Sequence, residues 1–403
     1  MKNILLNYEQ ISEIRTKTNL YFGLNAIKKM NDIAKNLKDM GIDSVLVVSS
    51  KSAYKKTGAW DYVTDALNKY NIQYCLYDQV TPNPTNQQVN EAKKLGLENN
   101  AKAVIGIGGG SPIDTAKSTA ILLKYPEKTA NDLYEFTFIP SDAVPVIAIN
   151  TTHGTGTEVN RFAVVSIPEK EYKPAIAYDC IYPLYSIDDP NLMLKLPKNQ
   201  TLFVTIDALN HVIEAATTKI ENPYAIMLAK QTIELIYNFL PECLKDLENP
   251  EPRYYLLYAS ALAGISFDNG LLHFTHALEH PLSAIKPELA HGLGLAMILP
   301  AVIEAIYPAK AEILANILNP IVPSLQGIPG EAVFAAAGVE KWLAEMGLPN
   351  KLLDEGFSEN DIDKLTELAM NTPSLDLLLS MAPIDADKNT VSRIYSRSLK
   401  PIN

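Results

Sequence analysis

Four of the six histidines in this 403-residue chain, His273, His276, His280 and His291, fall within 19 residues. His273, His276 and His280 are three and four apart, a spacing that puts side chains on one face of a helix. Asp207 and His211 are also four apart, inside an otherwise apolar segment. Buried carboxylates and imidazoles are costly unless something partners them. One aspartate with several histidines is a mixed oxygen and nitrogen donor set, suited to Fe(II) or Zn(II). Such a site offers Lewis-acid activation of an oxygen.

A second group points to an anion. The run Gly106-Ile107-Gly108-Gly109-Gly110-Ser111-Pro112-Ile113-Asp114 follows a β-branched apolar stretch and opens a helical pattern. Glycines let backbone approach a phosphate closely, the helix N-terminus supplies N–H donors, and Pro112 suits a first helical turn. The match to the dinucleotide fingerprint is loose, with Ser111 at its third position. The acidic residue expected about 20 positions later does not follow a strand. Ile149 to Val159, dense in threonine and glycine, is a further candidate for phosphate or ribose contacts.

Elements must position these groups. Ser44–Val48, Gln73–Tyr77, Ala103–Ile107 and Val144–Ile149 read as strands, with helices over Asn86–Leu97 and Ile113–Leu123. Alternating strands and helices imply parallel pairing. Beyond Asp189-Pro190, helical periodicity takes over, in Thr205–Ile220, Ala225–Leu240, Arg253–Asp268 and Leu271–Leu282. The expected fold is an α/β dinucleotide-binding domain over residues 1–192 and an all-α metal-binding domain over 193–403. A cleft between them is the expected place for a small-molecule site.

Composition narrows the partners. With 35 Lys+Arg against 46 Asp+Glu, the net charge of -11 disfavours nucleic acid and anionic membrane. Gly292 to Tyr307 is the most apolar stretch, but Pro300 and Glu304 interrupt it. It falls short of the roughly 18–20 apolar residues of a membrane span, and reads as one buried helix or two meeting at the proline. Met1 to Glu9 has no apolar run for a signal peptide. Cys75, Cys180 and Cys243 are too scattered for a disulfide framework. A cytoplasmic protein is expected.

Taken together, these motifs resemble the iron-containing (group III) alcohol dehydrogenase family, related to dehydroquinate synthase. The residues that carry the resemblance are Gly108-Gly109-Gly110-Ser111 with Asp114, Thr151-Thr152-x-Gly154-Thr155-Gly156-x-Glu158-Val159, Asp207-x3-His211, and His276-x3-His280-Pro281-Leu282 followed by His291-Gly292. Pro82-Asn83-Pro84-Thr85 and Asp189-Pro190 add to it, and it spans nearly the whole chain.

The resemblance implies Asp207, His211, His276 and His291 as metal ligands. It implies His280 as a proton-relay group; His273, beside it in the same run, is a second relay candidate on the residues alone. Gly108, Gly109, Gly110, Ser111 and Asp114 would cradle the pyrophosphate. Asn83, Thr151, Thr152, Thr155, Val164 and Lys173 would make further cofactor contacts, and Phe162 and Phe267 would line the substrate pocket. A small alcohol or aldehyde is the implied substrate, and a homodimer or higher homo-oligomer the implied assembly, with a strand from Met1–Leu20 pairing across a dimer.

Two positions depart from the family pattern. Ser50 stands where many NAD-using members have Asp, and His273 replaces a small residue. An aspartate there would repel a 2′-phosphate, whereas Ser50 and Lys51 would accept it. NADP(H) is therefore expected over NAD(H), with Fe(II), or alternatively Zn(II), as the metal. The expected reaction is hydride transfer between a nicotinamide and a primary alcohol or aldehyde. The alternatives are a metal-dependent lyase or cyclase of the dehydroquinate synthase type, and a non-catalytic metal-sensing protein.

Overall fold

A computed structural model describes residues 11–402. They form two compact units, one of residues 16–198 with 246–261, the other of residues 11–15, 199–245 and 262–402.

The first unit contains strands β1 (Asn19–Phe22), β2 (Ser44–Ser50), β3 (Gln73–Val80), β4 (Ala103–Gly108), β5 (Val146–Asn150), β6 (Phe162–Val164), β7 (Ala175–Ala177) and β8 (Tyr185–Asp188). Its helices are α1 (Met30–Asp39), α2 (Ala53–Lys56), α3 (Ala59–Lys69), α4 (Asn86–Glu98), α5 (Gly110–Lys124) and α6 (Ala130–Tyr134). Strand alternation builds two cores. Val45, Val47, Ile105 and Ile107 pack with Ile33 and Leu37 of α1 and Val63 and Leu67 of α3. Leu46, Val48 and Val104 pack with Ala92 of α4 and Ala116 and Ala120 of α5. Burial on both faces is why β2 and β4 read as continuous apolar runs.

The main sheet has the order β1-β8-β5-β4-β2-β3, and every pairing in it is parallel. β3 and β4 lie on opposite sides of β2, so the crossovers reverse direction between β2 and β4. Ligands of open α/β sheets bind at the carboxyl ends of strands at such a switch point. Register brings those ends together: Ser49 pairs with Ile107, and Gly108 with Asn150. Met1 to Gln10 of the expected dimer strand lie outside the described residues. Asn19–Phe22 pairs with Tyr185–Asp188 of the same chain.

The remaining helices are α7 (Lys198–Thr217), α8 (Pro223–Lys245), α9 (Pro250–Gly270), α10 (Phe274–Ile285), α11 (His291–Ile317), α12 (Ala332–Met346), α13 (Ile362–Asn371), α14 (Leu375–Ser380) and α15 (Lys388–Ser398). The helix expected from Leu271 begins instead at Phe274. Leu271 is left-handed (φ 64) and His273 has φ −147, ψ −116, so the chain breaks between α9 and α10. Pro300 does not divide α11; the non-helical residue is Lys310, two after Pro308. By length and composition α11 would suffice to cross a membrane, but 72% of its apolar window is buried inside the protein.

Candidate active site

Asp207 and His211 are one turn apart on α7, and Glu214 follows at the same face after three more residues. His276 and His280 are one turn apart on α10, and His291 opens α11. These helices bring three imidazoles to one carboxylate oxygen. His211 Nε2 and His276 Nε2 each lie 3.4 Å from Asp207 Oδ1, and His291 Nε2 lies 3.7 Å from it. A tetrahedral ion with bonds near 2.1 Å separates its donors by roughly 3.4 Å. The donor types therefore suit a divalent metal, and the ligand atoms of Asp207, His276 and His291 all lie within 4.8 Å of one another. The His211 ring stacks on His276 with centroids 4.6 Å apart and on Phe267 at 4.4 Å, which puts Phe267 beside a donor.

Electrostatics agree. Burial would raise Asp207, but His211, His276 and His291 hold it well below the usual carboxylate range. Burial pushes His211 down to about 4 although Asp207 pulls upward, so it is neutral and able to ligate. For His276, burial is outweighed by Glu214 and Asp207, which push it up to about 9. The negative field that favours a proton there also favours a divalent cation, which would displace that proton on binding.

His280 is 4% exposed, its ring 5.8 Å from that of His291 and 6.5 Å from that of His276. His273 does not share this position. Its Nε2 meets the Thr217 hydroxyl at 2.9 Å, it is wholly buried, and burial pushes it down to about 4. The break before α10 sets its ring against Thr217 and Glu214 of α7. Two residues that sequence reasoning missed stand behind the donors: Glu214 contacts His276 Nδ1, and Glu279 contacts His291 Nδ1. Their signal was a charge within an apolar helix, beside each ligand motif.

In the first unit, Gly108 takes φ +152, and a Cβ there would meet Pro112 Cγ at 2.5 Å. A Cβ at Gly109 would lie 2.8 Å from the Thr152 side chain, and one at Gly110 would lie 2.7 Å from Thr155. Glycine is thus required where the two threonine-bearing turns close on the α5 N-terminus. Its N-cap residue, Gly109, makes no side-chain cap bond, which suits the first N–H groups to an anion. Thr151 N–H donates to Gly108 O at 3.0 Å. Ser49 is buried and donates to Ile107 O, whereas Ser50 is half-buried and Lys51 exposed at the end of β2. Asn83 (φ 52) is half-buried after β3, and Lys173 is buried just before β7.

Asp114 and Val164, both expected at the cofactor, bind each other. Asp114 Oδ2 accepts from Val164 N–H at 2.9 Å, and its Oδ1 accepts from the Thr157 hydroxyl at 2.6 Å. Lys117, one turn later and wholly buried, donates to Thr157 O (2.6 Å), Asn160 O (2.9 Å) and Phe162 O (2.8 Å). The Asp114–Lys117 turn therefore anchors the loop that carries Thr155 and Phe162. His153, the sixth histidine, accepts from Arg253 at 2.8 Å. Burial and that guanidinium push it down to about 3, so it stays neutral.

Glu158 is wholly buried, and among the described residues its carboxyl oxygens have no hydrogen-bond partner. Burial raises it to about 7, against the pull of Lys117 and with Asp114 adding to the rise; burial and Glu158 also raise Asp188. Between the ordinary carboxylate value and 7 the folded chain keeps a proton that the unfolded chain releases. Stability conferred by that proton falls as pH rises through this window. Glu158→Gln should therefore raise the melting temperature little at pH 5 and progressively more toward pH 8, by an energy on the order of 3 kcal/mol. Thermal melts across that range check it; an increment independent of pH would contradict it.

Comparison with known proteins places this geometry. Residues 17–190 match the model of the iron-containing alcohol dehydrogenase family, and residues 201–399 match the family's C-terminal domain. The chain belongs to the iron-containing alcohol dehydrogenase family. This dehydrogenase is 60% identical to a long-chain primary alcohol dehydrogenase of Thermoanaerobacter ethanolicus, covering 98% of each chain. It is 28% identical to an NAD-dependent methanol dehydrogenase of Bacillus methanolicus, covering 94% of this chain and 97% of that one. Among solved structures, an NADH-dependent butanol dehydrogenase of Thermotoga maritima superposes with a TM-score of 0.85 at 27% identity, covering 96% of this chain and 98% of the other. The α/β-then-helical architecture is the family's, and the chain is a nicotinamide-linked alcohol dehydrogenase. Membership decides for that reading over the cyclase and metal-sensing alternatives.

Proposed function

We propose that this dehydrogenase interconverts long-chain primary alcohols and their aldehydes, holds Fe(II) through Asp207, His211, His276 and His291, and prefers NADP(H) to NAD(H). The observation that carries the metal assignment is the convergence of three Nε2 atoms on one oxygen of Asp207. When bound, the ion supplies Lewis-acid polarisation of the substrate oxygen, and the nicotinamide supplies or takes up the hydride.

The chain's own residues do the rest. The N–H groups of Gly110 and Ser111 hold the pyrophosphate, with Gly109 letting it approach. Thr151, Thr152, Thr155, Asn83 and Lys173 make further cofactor contacts. Phe267, stacked on His211, offers an apolar wall to the substrate. His280 passes the proton between the substrate oxygen and solvent. The long-chain reading is supported by the 60% identity to an enzyme of that name.

The cofactor reading rests on Ser50 and Lys51, beside the cradle by the β2–β4 register. Serine leaves room for a 2′-phosphate that aspartate would repel, and Lys51 adds a cation. In Fe(II)-loaded enzyme with one aldehyde, kcat/KM for NADPH should exceed that for NADH by more than about 10-fold, roughly 1.4 kcal/mol, and Ser50→Asp should reverse the order. A native preference for NADH, or an unchanged ratio in the variant, would remove this strand end from the cofactor site. Across an aldehyde series, kcat/KM should climb roughly fourfold per added methylene, about 0.8 kcal/mol each, until the pocket is filled. A flat series would contradict the long-chain reading.

A further inference from the structure

An imidazole binds a metal through one nitrogen only when the other carries the proton, so whatever holds that second nitrogen sets tautomer, ring orientation and donor strength. The three histidines around Asp207 are unequal in this respect. His276 presents Nε2 to Asp207 and Nδ1 to Glu214 Oε2, and His291 presents Nε2 to Asp207 and Nδ1 to Glu279 Oε2. His211 Nδ1 is buried without a hydrogen-bond partner among the described residues, and its ring is held by stacking between Phe267 and His276.

Both carboxylates are themselves immobilised. Glu214 and Glu279 are wholly buried. Glu214 reaches from α7 across to α10, where its Oε1 accepts the N–H groups of Thr275 at 2.6 Å and His273 at 3.2 Å. It therefore caps a helix start that has no local side-chain cap. Glu279 Oε1 accepts from the Ser283 hydroxyl, and a Cβ at Gly294 would lie 2.8 Å from Glu279 Cγ, so α11 packs directly on that side chain. A carboxylate held at one oxygen by its own surroundings, with the other on an imidazole, cannot rotate away without breaking both contacts.

We propose that Glu214 and Glu279 are positioning residues for the metal. They fix the Nδ1–H tautomers of His276 and His291, aim both Nε2 atoms at one point, and add two buried negative charges that a divalent cation offsets. His211, which lacks such a carboxylate, is the weakest of the three nitrogen donors. This rests on the metal site proposed above.

The test uses the full-length protein, stripped of metal and titrated with Co(II) alone against a chromophoric chelator. Glu279→Ala should bind Co(II) about 10- to 100-fold more weakly than the native chain, the range typical of such partners, and its Co(II) absorption bands should shift. Glu279→Gln keeps an acceptor for Nδ1–H without the charge and should recover part of that loss. It carries the test alone if the alanine variant does not fold. Glu214→Gln should behave likewise. His211→Ala should lose less affinity than His291→Ala. Metal-free melting temperatures of the glutamine variants should stay at or above the native value, which separates lost positioning from lost folding. Native affinity within twofold and an unshifted spectrum in folded Glu279→Ala or Glu279→Gln would overturn the inference. If the native chain takes up no Co(II), the metal site fails, and this inference with it.

Discussion

Alanine in place of His276 will release the metal and abolish turnover together. His276 is one of the four proposed donors, and the nitrogens of His211 and His291 approach the same Asp207 oxygen as its own. Apparent metal-binding energies of about 10–16 kcal/mol over four ligands put each at roughly 3 kcal/mol, or about two orders of magnitude in affinity. The loss here should exceed that, because Glu214 would keep its buried charge without the imidazole. Cys243, the only cysteine of the helical unit, lies on α8 and is no part of the donor cluster. Asp207→Ala and His291→Ala should follow His276→Ala. His280→Ala should keep its metal and lose about 10²-fold in rate, the usual worth of a proton-transfer group. Metal content after dialysis, measured beside turnover, separates the two classes. Full metal with native turnover in any of the first three variants would refute the donor set, and metal loss in His280→Ala would show that His276 and His280 had been exchanged.

Gly292→Ala should be nearly as damaging without touching a donor. A Cβ at Gly292 would sit 2.0 Å from the carbonyl oxygen of Phe203 and 2.5 Å from its carbon. Backbone meets backbone there, so no side chain can rotate aside. Phe203 is one turn before Asp207 on α7, and Gly292 follows His291 at the start of α11. Separating the helices enough to admit a methyl group moves His291 away from Asp207. Overpacking typically costs about 1–3 kcal/mol and occasionally more; a backbone-on-backbone clash belongs at the upper end, and the metal affinity should fall with it. At Gly330 a Cβ meets nothing within 4 Å, and Gly330→Ala should leave both properties unchanged. Melting temperature and Co(II) affinity measured on the two variants check this; a Gly292→Ala protein with native values for both would show that the helix contact does not set the geometry.

Much of this was legible because local pattern and tertiary role coincide. The β2 and β4 runs are buried on both faces and read as strands. The three glycines fall where strand turns to helix, and the histidine spacing places donors on single helix faces. What escaped the reading depends on contacts distant in sequence. The start of α10 is set by Glu214, which caps it from α7 across some sixty residues, so periodicity alone began the helix too early. Asp114 carries the motif of a phosphate cradle, but its oxygens serve Thr157 and Val164, more than forty residues on. Nothing in the pattern marks residues 246–261 as part of the first unit. Glu214 and Glu279 were visible as charges in apolar helices. Recognising them needed the cost of burying a charge to be applied to glutamate as it was to histidine.

The most direct measurement is an anaerobic titration of metal-free protein with Fe(II), following aldehyde reduction by NADPH. Activity should begin near zero, rise linearly and saturate at one equivalent of iron, and Asp207→Ala should stay inactive throughout. Full turnover before any metal is added, or saturation at a different stoichiometry, would contradict the account.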